Sequence, residues 1–188
     1  MATPTALPAA FTVGQVLTSA DMNLLRGANR VLQLISTTKQ DTFAVSLASA
    51  ASADVTGLSA TITPTSSSSK VFVTVNMNGV TDVAGSVRAY ITAQLKRGAT
   101  LIGGGTVAGS RTSANMAGGY TAAPDLNACI SFSFLDTPAT TSATTYQVAV
   151  FNAFGGTFDL RVNRVGDDSN TAAIVRLSST ITLMEISA

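Results

Sequence analysis

The sequence predicts a mainly β protein: an antiparallel β-sandwich, jelly-roll-like, preceded by an extended N-terminal arm and one α-helix. Three observations carry this prediction. From Thr42 onward, short runs of alternating apolar and polar residues are separated by turn signals, which amounts to roughly eight strands. Apolar residues spaced by three and four recur only near the start, at Leu24, Leu25, Ala28, Val31, Leu32 and Ile35, the stripe of an amphipathic helix. Ahead of them stands a Pro/Ala-rich stretch, "MATPTALPAAF", in which Pro4 and Pro8 disfavour helix.

The arm covers residues 1–17. Its apolar residues Phe11, Val13, Val16 and Leu17 have little core of their own to enter and are expected to dock on a neighbouring protein. The helix is expected to start at Thr18 or Ser19, since a hydroxyl side chain suits the N-cap and Asp21 favours the positive end of the helix dipole. Met22, Leu25, Asn29 and Leu32 also fit a short seam shared among parallel helices, with Asn29 setting register. The alternative is a single helix laid on the β domain. Gly27 costs such a helix about 1 kcal/mol relative to alanine, so packing must hold it. "STTKQD" (36–41) is expected to end it. The division is therefore residues 1–41 for attachment and oligomerisation, and 42–188 for the β domain.

Within the β domain, "TFAVSLAS" is one apolar run. Residues 58–63 form a strand, and a turn at Pro64 to Ser69 leads to Val71, Val73 and Val75 on one face. Ala89, Ile91, Ala93 and Leu95 share a face before a Lys96-Arg97-Gly98 turn. The stretch 103–128, rich in small and polar residues, reads as an extended loop or edge. "CISFSFLDTP" places Ile130, Phe132 and Phe134 together; Tyr146, Val148 and Val150 alternate, as do Phe158, Leu160 and Val162. "GDDSN" is a hairpin turn, and "AAIVRLSSTITLMEI" supplies the last one or two strands.

Composition narrows the chemistry. The 188 residues suffice for one domain with a real core and a short appendage. Net charge is +1 and charged residues are 11%, so nothing draws the chain toward nucleic acid or anionic lipid. A charge so near zero suits a free monomer poorly. No apolar run approaches the ~18 residues of a membrane span, so no membrane insertion is expected, and the N-terminus lacks the basic and apolar regions of a signal peptide.

Histidine is absent, which removes Ser-His-Asp and Cys-His nucleophile systems and most zinc sites. Glu185 is the sole glutamate. The lone cysteine, Cys129, permits no intrachain disulfide and reads as a small buried residue. "GATLIGGGTVAGS" is neither a P-loop nor a dinucleotide fingerprint. Asp167, Asp168 and Asn170 have oxygen ligands for calcium but not EF-hand spacing, and a solvated turn is the better reading. Tyr90, Tyr120, Tyr146 and Phe154 are the candidates for stacking on a sugar ring, with Tyr120, in "MAGGYTAAPD", the best candidate for an exposed receptor contact. The expectation is a protein without catalytic function, cofactor or metal.

Several stretches resemble bacteriophage virion proteins, especially small tail-fibre proteins. "FTVGQVLTSADMNLLRGA" is similar to the N-terminal attachment segment of such proteins. "LSATITPTSSSSKVFVTV" resembles the strand–turn–strand of their β domains, and "LKRGATLI", "FLDTPATTSATTYQVAV" and "SSTITLMEI" resemble later strands of the same domain. The stretches cover most of the chain in the expected order, apart from 103–128. The resemblance implies a homotrimeric tail fibre or tail-tip adhesin located in the virion. Its N-terminal arm and helix, with Phe11, Val13, Val16, Leu17, Leu24, Leu25 and Leu32, would fix it to other virion proteins. Its β head would point outward toward a host glycan or protein. A capsid decoration protein or head fibre is the alternative on the same architecture.

Overall fold

A computed structural model describes residues 30–82, 91–117, 128–153, 155–165, 168–172 and 174–188, together with Gly14, Val16, Thr18 and Ser19. Among them run eleven strands: β1 (Val31–Lys39), β2 (Phe43–Leu47), β3 (Ser52–Ile62), β4 (Lys70–Asp82), β5 (Ile91–Arg97), β6 (Thr100–Ile102), β7 (Met116–Ala117), β8 (Ala128–Asp136), β9 (Thr144–Asn152), β10 (Phe158–Val162) and β11 (Ser179–Ile186). Every pairing is antiparallel.

The strands form two sheets. In the first, β4 is central. It pairs with β8 along one edge, and on the other with β11 and then, near its end, β10. β1 extends this sheet beyond β11, and β2 extends it beyond β10. The second sheet runs β3-β9-β5-β6, with β7 also on β5. Period-2 alternation drives one face of each sheet inward. Val71, Val73 and Val75 of β4, Ile181 and Leu183 of β11, Ala93 and Leu95 of β5, and Val148 and Val150 of β9 are fully buried together. Each such valine, leucine or isoleucine side chain contributes about 1.5–3 kcal/mol.

The expected helix is overturned over Val31–Ile35. These residues lie in β1, registered against β11 from Val31↔Ile186 to Lys39↔Ser179. "STTK" continues the strand instead of ending a helix. β-branched Val31, Ile35, Thr37 and Thr38 favour the pleated chain, and an unfilled edge of β11 gives it a ladder. Residues 31–39 are therefore part of the sandwich. The earlier part of that expectation, residues 20–29 with Leu24 and Leu25, lies outside the described residues.

Two smaller expectations change as well. Lys96 and Arg97 belong to β5, opposite Gln147 and Tyr146, and the turn comes after them. Cys129 is exposed, not buried. Ile130 points into the core, so alternation turns Cys129 outward.

Buried asparagines hold the connections. Asn163, at φ +65° and fully buried, donates to the carbonyls of Lys39 and Asp41, both at 2.9 Å, and accepts from the Ser179 hydroxyl at 2.6 Å. Asn152 donates to the carbonyls of Leu47 and Gly156. Gly79, at φ +58°, lies where β4 shifts register against β8. A Cβ there would stand 2.8 Å from the Arg164 backbone nitrogen.

Candidate functional site

The outer faces of the two sheets differ. The second is covered by its own chain over β5 and β9, while Ser52, Asp54 and Thr61 of β3 stay exposed. Residues 103–115 fold over it, with the Asn115 amide donating to the Ala93 carbonyl at 3.0 Å, Gln94 donating to the Ser113 carbonyl at 2.8 Å and Asn115 accepting from the Leu95 amide at 2.7 Å. Thr92 and Gln94, which point outward, are buried by this cover.

Between the cover and the ends of β5 and β9 lies a cleft of about 420 Å³, with Ser49, Thr92, Ser110, Arg111, Thr112 and Phe151 on its walls. Hydroxyl residues, one arginine and one phenylalanine thus line it. That set can hydrogen-bond a polyhydroxylated ligand or pair with a carboxylate. The 103–128 stretch thus supplies a described cleft as far as Ala117. Neither Arg111 nor the cleft is marked by any motif in the sequence.

The first sheet's outer face is bare among the described residues. Across β1, β11, β4 and β8 the register aligns Leu34, Met184, Phe72 and Leu135 in one row. Leu34 is 56% and Leu135 47% exposed. Leu32, 38% exposed, and Ile186 flank this row, so an apolar belt crosses the sheet at the end where the chain enters β1. The next row is Ser36, Thr182, Thr74 and Ser133, and beyond it come Thr38, Thr180, Asn76 and Ser131. Several of these polar groups satisfy each other: Ser36 and Thr182 hydroxyls are 2.9 Å apart, and Ser131 donates to the Asn76 side-chain carbonyl at 2.6 Å.

Carboxylates sit in the interior at that same end. Gln33, Glu185, Val71 and Asp136 form the inward row. Glu185 is fully buried. It accepts from the Thr65 amide and hydroxyl, each at 2.7 Å, and from Gln33 Nε2 at 2.6 Å. Burial pushes its pKa up, but the donors of Thr65 and Gln33 outweigh that and draw it down to about 2.

Asp136 accepts from the Tyr146 hydroxyl at 2.6 Å and pairs with Arg97 at 2.8 Å. Burial, then the adjacent Asp136 carboxylate, raises the Tyr146 pKa far above its usual value. Both carboxylates are thus engaged in holding the structure: Glu185 ties the 63–69 turn to β11, and Asp136 ties β8 to β5 and β9.

Of the predicted site residues, Val16 is described and 83% exposed, and Leu32 lies in β1 within the belt. Phe11, Val13, Leu17, Leu24, Leu25 and Tyr120 lie outside the described residues, as do Tyr90, Phe154 and Asp167. Tyr146 is buried in the core and offers no ring to a sugar. Asp168 bridges Arg164 and Arg176. Among the described residues no cluster of His, Cys, Asp or Glu has the makings of a metal site, and no helix is long and apolar enough to cross a membrane.

Fold and surfaces together define a mainly antiparallel β protein with two sheets in a sandwich-like arrangement. No family model matches the sequence, and no curated protein matches it. Among solved structures it is similar to a chain in the structure of infectious bursal disease virus Gx strain, at 15% identity and a TM-score of 0.40 over 96% of this chain and 42% of that one. The chain spans less than half the length of that viral chain.

Proposed function

We propose that this protein is a non-catalytic structural component of a bacteriophage virion, a tail fibre or tail-tip adhesin that works as a homotrimer. Residues 1–29 mount it on another virion protein, and the β-sandwich projects as the head. The observation that carries the reading is the junction at Arg30. Arg30, immediately ahead of β1, exchanges hydrogen bonds with Ser187 at 2.9 Å. A mounting segment joined to an edge strand transmits position to the whole sandwich. The order of phage-like stretches along the chain supports the same reading. The hydroxyl-rich cleft beside Arg111 suits a host glycan, with specificity set by 103–128.

The test is a truncation placed by the fold. Removal of residues 1–29 leaves β1 intact and is expected to yield a folded head that no longer enters particles. Normal incorporation of the truncated chain overturns the attachment role. Antibody labelling of intact particles is expected on the tail; labelling across the capsid lattice replaces the tail-fibre reading with a capsid decoration protein or head fibre.

A further inference from the structure

We infer that the outer face of β1, β11, β4 and β8 is the surface on which a second copy of this chain packs. The inference locates the self-association proposed above and rests on that part of the reading, but not on the tail location.

Three features of the face point to burial. It carries a continuous apolar row, Leu34–Met184–Phe72–Leu135, spanning all four strands. Among the described outward side chains of these strands Lys70 is the sole charged one, and it stands beyond the belt, opposite Ile186. Surfaces designed to stay soluble carry roughly 25–35% charged residues. Finally, the polar rows are partly self-satisfied through the Ser36–Thr182 and Ser131–Asn76 bonds, so covering them strands fewer donors.

The size fits. Four strands about 4.8 Å apart and about seven residues long, at about 3.3 Å each, span roughly 450 Å² in projection. That is over half of the ~800 Å² each partner buries in a stable pair. The outer face of β5 and β9 in the second sheet is the internal contrast: there residues 103–115 supply a cover.

The occupant follows from the pattern. A face without charge has no means of steering or selecting a charged partner. A rotation axis parallel to the strands, two-fold or three-fold, keeps each row at its own height. It therefore sets belt against belt and hydroxyl rows against hydroxyl rows. A second copy is the partner that matches the face row by row.

The experiment uses the full chain. Size-exclusion chromatography with light scattering is expected to give an oligomer for the unaltered protein and a monomer for L34E/L135E at micromolar concentration, with thermal unfolding confirming that the variant folds. As a second measurement, Thr74→Cys in a Cys129→Ser background places one thiol at the centre of the face. Its reaction with a maleimide is expected to be at least tenfold slower in the assembled protein than in urea. An oligomer unchanged by L34E/L135E, or an introduced thiol that reacts at the unfolded rate, overturns the location while leaving self-association standing. A monomeric unaltered chain overturns both.

Discussion

Glu185→Gln tests whether the buried carboxylate ties the 63–69 turn to β11 as an anion. The folded protein lowers the Glu185 pKa from 4.5 to about 2, and each pKa unit is worth about 1.4 kcal/mol. The ionised carboxylate thus contributes about 3 kcal/mol, carried by the Thr65 and Gln33 donors against the cost of burial. Because the folded pKa lies below the unfolded one, this stability is fully present above about pH 5. It is lost as pH falls from there through about 2.

Glutamine keeps the shape and one acceptor but loses the charge. Urea unfolding followed by far-UV circular dichroism, at fixed chain concentration, should show the variant about 2–3 kcal/mol less stable at pH 7. The difference should shrink between pH 5 and pH 2 until the two proteins unfold together. A difference that stays constant across that range means the charge is not what stabilises the turn. No difference at pH 7 would refute the argument outright.

Gly79→Ala should cost about 2–4 kcal/mol, because the new Cβ meets the backbone of Arg164 and Asn163 at a positive φ; a melting temperature within a degree of the parent counts against it. Asn163→Gly should destabilise by about 2–4 kcal/mol, because the carbonyls of Lys39 and Asp41 lose a donor and the Ser179 hydroxyl loses its acceptor. Asn163→Ala should cost about 1 kcal/mol more, since alanine also strains at φ +65°; denaturant midpoints in the reverse order would count against this reading.

The inward faces are legible in the sequence. Val71, Val73, Val75, Tyr146, Val148 and Val150 alternate with polar residues, and a period of two has one burial solution. The helix misleads because "VLQLI" satisfies both periods: Val31, Leu32 and Ile35 fall at helical spacing, while Gln33 and Ile35 alternate with the outward leucines. Only the unfilled edge of β11, some 150 residues away, decides between them. The exposure of Cys129 is readable in principle, since placing Ile130 inward forces its neighbour out. The apolar belt is invisible for a different reason. Leu34, Met184, Phe72 and Leu135 come from four distant strands, and register alone makes them a row. The same holds for Asn163 and Glu185, whose partners are remote in sequence.

The way the chain enters its sheet also has a mechanical meaning. β1 runs antiparallel to β11 through eight registered pairs, and the residues ahead of it join at its Val31 end. Tension applied through the arm, with the head held at its far end, acts lengthwise on that ladder. It loads the hydrogen bonds in parallel as shear instead of peeling them one after another. The Gln33–Glu185 bond, at 2.6 Å, sits where the tension arrives and resists the first slip. An edge strand is ordinarily the weakest part of a sheet under pull; placed this way, it becomes a tether.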